Sequence, residues 1–182
     1  MVFLRRRSCL KYVFKDFILA DEEGPPRRRW DMDNEKIQPG EDMLLLDRQL
    51  CFPLYACARE VVKRYTPFLD EIGLTYTQYI TMMVLWETPC ISSKRIGERL
   101  FLDSGTLTPL LRKLEDKGYV NRKRDEKDAR DLIVTLTDAG LALKARAVQI
   151  PLQLASCIRM EPEDAMQLYT LLYKLLDGMK EE

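Results

Sequence analysis

Apolar residues recur at helical spacing from Leu50 to Leu69, at Leu50, Leu54, Cys57, Ala58, Val61, Tyr65, Phe68 and Leu69. They predict one long amphipathic helix. Pro53 lacks a backbone N–H and would clash with the Gln49 carbonyl deep in a helix, so it is either a first-turn residue or the source of a kink. Thr75 and Gln78 form a capping-box pattern that opens a second helix through Tyr79, Met82, Met83 and Trp86. Pro89 and Cys90 mark a loop. Ser92 and Ser93 cap a short helix from Lys94 to Leu100, and Phe101 to Gly105 is a tight turn. The next helix runs from about Ser104 to Lys117 and stops at Gly118. Its stripe of Leu107, Leu110, Leu111 and Leu114 faces inward.

Two β-branched or aromatic runs follow, Tyr119 to Arg124 and Leu132 to Leu136, flanking the charged stretch Asp125 to Asp131. They predict a β-hairpin. Thr137 and Asp138 cap another helix, which Pro151 ends or bends. Glu161-Pro162-Glu163 starts the last helix, with proline at the first helical position and acids at its positive end. Leu168, Leu171, Leu172, Leu175, Leu176 and Met179 form an apolar stripe on it that suits dimerisation, or packing within one chain.

Two short helices joined by a Gly-containing turn and followed by a hairpin are a helix-turn-helix with a wing. The expected fold is mainly α. It has a helix-turn-helix over about 92–117, a wing over about 119–136, and dimerisation helices over about 46–70 and 138–181, all within a domain spanning 42–182. Residues 1–41 read as a disordered or non-native extension. They carry the runs Arg5-Arg6-Arg7 and Arg27-Arg28-Arg29 and a Gly-Pro-Pro linker, and the natural start is expected at Met32 or Met43. The apolar run near Ile18 is broken by Lys11, Lys15 and Asp16, so it does not read as a signal peptide.

The chain has 182 residues, with 29 Lys and Arg balanced by 29 Asp and Glu. Any basic surface must therefore be local. Five irregularly spaced cysteines do not make a disulfide framework. No histidine and no Cys-x-x-Cys pair argue against zinc, and no cofactor is expected. No run approaches a membrane span, and a reducing cytoplasm suits the thiols.

Local basicity lies where a DNA reader needs it. The outward face of the second helix of the helix-turn-helix carries Ser104, Thr106, Thr108, Arg112 and Lys113. Hydroxyls near its N-terminus and cations a turn later suit major-groove entry, with Arg112 able to take a guanine edge. On the wing, Arg122, Lys123, Arg124, Lys127 and Arg130 are basic. The expected partner is double-stranded DNA, read as a pseudo-palindrome by a homodimer with half-sites about one helical turn apart.

Cys51 has two readings. Most unpaired cysteines are small buried hydrophobes. Cys51 also stands at the start of the long helix, where exposed N–H groups and the macrodipole favour a thiolate. Cys51, Tyr55, Ala58, Val62 and Tyr65 share one helical face. Tyr65 is roughly 21 Å from Cys51 along a straight helix, so if the helix is continuous the two cannot touch within one chain; they could touch between two antiparallel copies.

The motif Gln49-Leu50-Cys51-Phe52-x-Leu54-Tyr55, then Lys63 to Asp70, Leu74 to Tyr79 and Leu102 to Leu111 with Pro109, resembles the organic hydroperoxide resistance regulators of the MarR family. The resemblance runs from about Leu44 to Leu176. It implies that Cys51 senses peroxide and that Tyr65 and Tyr76 hydrogen-bond it from the partner subunit. It implies that Arg130 enters the minor groove at the wing tip, oriented by Asp128. Some members carry a resolving cysteine near Cys157; without one, an external small thiol completes the switch. The inducers implied are organic hydroperoxides, for which Phe52, Tyr55, Tyr65 and Tyr76 offer an apolar lining. Two alternatives stand beside this repressor: a MarR-type repressor answering a phenolic or other apolar ligand, with Cys51 a bystander, and a thiol peroxidase.

Overall fold

A computed structural model describes residues 44–46, 49–124, 131–158 and 160–179. The extension expected over 1–41 and the wing-tip residues Asp128 and Arg130 lie outside the described residues. The chain divides into two compact units, one spanning Cys51–Ile150 and one made of the flanking segments.

In the first unit, α1 (Cys51–Glu71) runs without interruption for 21 residues. The helical segment expected from residue 46 begins only at Cys51, with Pro53 in its first turn. A helix that included Gln49 would drive its carbonyl into the Pro53 ring. Pro67 sits inside α1 near its end. The chain then reverses at Gly73, whose φ of 67° falls in the left-handed region that glycine tolerates. There the Leu74 N–H bonds the Leu69 carbonyl at 3.0 Å. The α2 helix (Tyr76–Glu87) opens with the expected capping box, Thr75 and Gln78 each satisfying the other's backbone N–H.

Strand β1 (Cys90–Ser92) stands where the sequence predicts a loop at Pro89 and Cys90. It pairs antiparallel with β3, setting Ile91 opposite Val134. Three residues are too few to display alternation, so nothing local distinguishes such a strand from a turn. The α3 helix (Ser93–Leu100) is capped by Ser92, and Phe101 at φ 55° ends it. A Cβ on Gly97 would lie 2.8 Å from the Leu102 carbonyl oxygen, so this turn requires glycine there. The α4 helix (Ser104–Asp116) is capped by Asp103. Strands β2 (Val120–Arg124) and β3 (Leu132–Leu136) form the expected hairpin, completing a sheet of order β1-β3-β2. The α5 helix (Asp138–Ala147) closes the unit.

The core gathers residues from each of these helices, with Leu69, Met82, Leu85, Ile96, Leu111 and Leu114 essentially inaccessible. Truncating any one to alanine is expected to cost about 2–5 kcal/mol.

The helical region expected over 138–181 continues as α6 (Ile150–Ala155), which begins at the last residue of the first unit, and, in the second, as α7 (Pro162–Gly178). It is not continuous with α5, because Pro151 would clash with the Ala147 carbonyl and α5 ends at that residue. Pro162 is the first residue of α7, as expected, and Glu163 and Asp164 lie in its first turn. No α7 residue is buried; Leu168, Leu171, Leu175 and Met179 all face solvent in the single chain. Among the described residues, no helix is long and apolar enough to cross a membrane.

Candidate functional site

Cys51 is the first helical residue of α1 and is exposed. Of the face it shares, Tyr55 is 61% and Val62 38% accessible, and Ala58 is exposed. Only Leu69 of the whole helix is buried. A helix with an apolar face gains little in water unless that face is covered. The α1 helix of one chain therefore leaves most of its face available to a partner.

At the far end of α1, Tyr65 meets Tyr76 of α2 with ring centroids 4.9 Å apart and planes at 50°. Tyr79 lies 5.8 Å from Tyr65 and 6.2 Å from Trp86, which extends the cluster along α2. Burial raises the Tyr65 phenol well above the ordinary tyrosine value, and the neighbouring Tyr76 and Tyr79 phenols raise it further. Burial likewise raises Tyr76. Both hydroxyls stay protonated at neutral pH and can donate a hydrogen bond. The chain thus brings Tyr65 and Tyr76 together, but not Cys51, which lies roughly 21 Å away along the unbroken helix.

The second candidate surface is α4. Ser104, Thr106, Thr108, Arg112 and Lys113 are all exposed, while Leu107, Leu110, Leu111 and Leu114 are buried. The two threonine hydroxyls already donate locally. Thr106 Oγ1 bonds Asp103 Oδ2 at 3.0 Å, and Thr108 Oγ1 bonds the Ser104 carbonyl at 2.7 Å. The hydrogen bonds Asp103 receives from Thr106, backbone first and side chain second, hold its carboxyl below the usual range. Asp103 thereby holds the Thr106 N–H, and the exposed Thr106 and Thr108 oxygens can still accept, beside Ser104, Arg112 and Lys113 on the same outward face.

The described part of the wing is less basic than its sequence. Arg122 is taken up by Glu115 of α4: its N–H and Nε bond the carboxylate at 2.9 Å and Nη2 at 2.7 Å. Its side chain is only 17% accessible. Arg122 is therefore a strut between helix and wing and is not available to DNA. Lys123 and Arg124 are exposed. Nothing local in the sequence marks the Glu115–Arg122 pair, because it depends on how β2 returns across α4.

Further contacts tie the wing's root to α3 and α5 to α2. Asp131 Oδ1 accepts from Ser93 Oγ at 2.8 Å and from the Lys94 N–H at 3.3 Å, tying the wing's root to the start of α3. Trp86 Nε1 donates to the Gly140 carbonyl at 2.9 Å. Gly140 has no room for a side chain, since a Cβ there would lie 2.2 Å from the Tyr119 carbonyl oxygen.

The remaining thiols differ in setting. Cys57 and Cys90 are exposed, and Cys90 accepts a long contact from Thr135 Oγ1 at 3.8 Å. Cys157 follows α6 in a turn, with its sulfur 3.4 Å from the Gln153 carbonyl.

Comparison with known proteins gives this arrangement a setting. The family described as transcriptional regulator SarA/Rot matches residues 63–146. The chain is 43% identical over 141 residues to the organic hydroperoxide resistance transcriptional regulator of Bacillus subtilis (strain 168), covering 78% of this chain and 96% of that one. It is 50% identical over 105 residues to the HTH-type transcriptional regulator SarZ of Staphylococcus aureus (strain USA300), covering 58% and 71%. Among solved structures it is similar to reduced AbfR bound to DNA, AbfR being a Staphylococcus epidermidis protein. That likeness has a TM-score of 0.62 and 34% identity, over 74% of this chain and 93% of that one.

Proposed function

The chain belongs to the MarR family of winged-helix regulators, in its organic hydroperoxide resistance branch, and from that premise we propose that it is a homodimeric, redox-sensing repressor that releases DNA when Cys51 is oxidised. The observation that carries this reading is the placement of an exposed Cys51 at one end of α1 and the Tyr65–Tyr76 pair at the other. Two copies of α1 packed antiparallel bring each Cys51 to the partner subunit's Tyr65 and Tyr76. The exposed leucine stripe of α7 offers further surface for the same dimer.

The chemistry follows from the groups. The N-terminus of α1 favours negative charge, and two protonated phenols donate to it. The Cys51 thiolate attacks the outer oxygen of the hydroperoxide. The O–O bond breaks as an S–O bond forms, and the departing alkoxide takes a proton and leaves as the alcohol. The sulfur becomes a sulfenic acid, which is bulkier and no longer anionic, so the phenol hydrogen bonds across the dimer are lost. The two α4 helices then no longer match successive major grooves. Ser104, Thr106, Thr108, Arg112, Lys113 and Arg124 form the DNA-facing set, with Arg130 and Asp128 completing the wing tip. The sulfenic acid is then captured as a disulfide, either by Cys157 or by an external small thiol. The protein works in the cytoplasm, where reducing thiols reset Cys51. Hydroperoxide is consumed once per switch, as a signal.

The test is fluorescence anisotropy on a duplex from upstream of its own gene, titrated with cumene hydroperoxide. Release of the wild type, reversed by dithiothreitol, is expected. DNA binding that ignores the peroxide refutes the sensor and turns attention to apolar ligands. Sustained turnover of peroxide with a thiol reductant identifies a peroxidase instead.

A further inference from the structure

The oxidation signal arises at Tyr65 and Tyr76, while DNA is met by α4. Residues of α2 and α4 share one hydrophobic core, but their polar ends are not closely packed. An open groove of about 540 Å³ lies between the first turn of α2 and α4, lined by Thr75, Thr77, Gln78, Pro109 and Lys113 among others. Packing is open at this groove, so what passes between the two elements there passes through side chains that reach across, beside the core they share.

One side chain spans the seam. Lys117, the residue that caps the C-terminus of α4, reaches across with its ammonium. It donates to the Gly73 carbonyl at 2.5 Å and to Gln78 Oε1 at 3.0 Å. Both acceptors belong to the tyrosine hairpin. Gly73 is the left-handed residue of the α1–α2 turn. Gln78 is 3% accessible, and its Oε1 also receives the Thr75 N–H at 3.1 Å. Tyr76 lies between Thr75 and Gln78 in the same turn of helix, so displacing its ring displaces the cap that holds Lys117.

The same turn is held from the other side, where Arg146 Nη2 of α5 donates to the Glu71 carbonyl at 2.5 Å. Cations suit both places, because the last carbonyls of α1 carry the negative end of its dipole. The hairpin is thus pinned between a cation from α4 and a cation from α5. The Lys117 contact is the one that ends on the DNA-facing helix.

We propose that Lys117 is a positioning residue that transmits the state of the Tyr65–Tyr76 pair to α4, by holding the Gly73 carbonyl and the Gln78 cap. This rests on the peroxide-sensing reading above. In the reduced dimer the latch holds α4 at the spacing that suits DNA. When Cys51 oxidation shifts Tyr76, the cap and the Gly73 turn carry Lys117 with them, and α4 turns at its C-terminal end. Without the ammonium, oxidation of Cys51 proceeds but moves α4 less.

The experiment uses the full-length wild type, Lys117→Met and Lys117→Arg, with two readouts from each sample. Thiol alkylation and mass spectrometry give the fraction of Cys51 oxidised by cumene hydroperoxide. Anisotropy on the upstream duplex gives the DNA affinity before and after. Lys117 is exposed, so Lys117→Met is expected to fold, and a thermal melt within a few degrees of wild type checks this. The expected result is equal oxidation of Cys51 in all three proteins. The oxidation-induced loss of affinity shrinks about tenfold in Lys117→Met, within the usual range of coupling between sites, and returns in Lys117→Arg. If Lys117→Met releases DNA on oxidation as fully as wild type, the latch is refuted while the sensor stands. If Lys117→Met instead weakens reduced binding and lowers the salt slope by about one, Lys117 is a phosphate contact and the latch is refuted. If oxidised wild type keeps its DNA, the sensor itself fails and the latch falls with it.

Discussion

Tyr65 and Tyr76, one from each arm of the α1–α2 hairpin, meet with their ring centroids 4.9 Å apart, while Cys51 sits at the opposite end of the helix that carries Tyr65. Burial keeps both phenols protonated, so each has a hydrogen to donate. Removing either hydroxyl leaves the ring packing in place and removes only the donor. Tyr65→Phe and Tyr76→Phe are each expected to fold with melting temperatures near wild type. Each should slow Cys51 oxidation by cumene hydroperoxide about tenfold, the effect of losing roughly 1.4 kcal/mol of thiolate stabilisation. Stopped-flow thiol consumption measures this directly.

Glu115 and Arg122 join the DNA-facing helix to the first strand of the wing through a bidentate pair and a backbone hydrogen bond. The pair is partly open to solvent, so its contribution to stability is modest. Arg122→Met is expected to cost about 1 kcal/mol in a urea melt. Its effect on DNA binding should come through the orientation of the wing, so the salt dependence of binding should stay as in wild type. Arg124→Met, in contrast, should lower the salt slope by about one.

Asp131 faces two opposed influences. Burial disfavours its charge, but hydrogen bonds from the Ser93 hydroxyl, the Leu132 N–H, the Ser92 side chain and the Lys94 N–H outweigh it, and its pKa is lowered. A carboxyl whose folded pKa lies below its unfolded value adds stability above that unfolded value, near 3.9, and loses it as pH falls through the folded one. The melting temperature of wild type should therefore start to fall as pH approaches the unfolded value near 3.9 and keep falling below it. Asp131→Asn should show a smaller drop over the same range, because that group no longer titrates.

Trp86 and Gly140 fix α5 to α2. Trp86→Phe keeps an aromatic ring beside Tyr79 but leaves the Gly140 carbonyl without its 2.9 Å partner. A loss of about 1–2 kcal/mol is expected from a denaturant melt. Gly140→Ala should be worse, at about 3 kcal/mol, because its Cβ would meet the Tyr119 carbonyl.

Local, periodic features were legible in the sequence. The stripe Leu107, Leu110, Leu111, Leu114 predicts a buried face, and all four are buried. Thr75 and Gln78 predict a capping box, and both halves form. Pro162 predicts a helix start, and α7 begins there. What could not be read were contacts between residues distant along the chain. Lys117 looks like an ordinary helix end until Gly73 is brought beside it. Arg122 looks like one more basic wing residue until Glu115 takes it. The Cys90–Ser92 strand exists only because β3 supplies its partner. The Cys51 site lies between these cases. The spacing of Cys51 and Tyr65 keeps them apart within one continuous helix, and α1 is continuous, so the proposed site needs a second chain.

The most direct test of that demand is a mixed dimer. One subunit carries Cys51→Ser with its tyrosines intact; the other keeps Cys51 but carries Tyr65→Phe and Tyr76→Phe. Different affinity tags isolate the heterodimer, and stopped-flow measures oxidation of its single Cys51. If each site takes its thiol from one subunit and its phenols from the other, this heterodimer holds one complete site and oxidises at the wild-type rate per thiol. A rate as slow as that of the Tyr65→Phe, Tyr76→Phe homodimer would contradict the account.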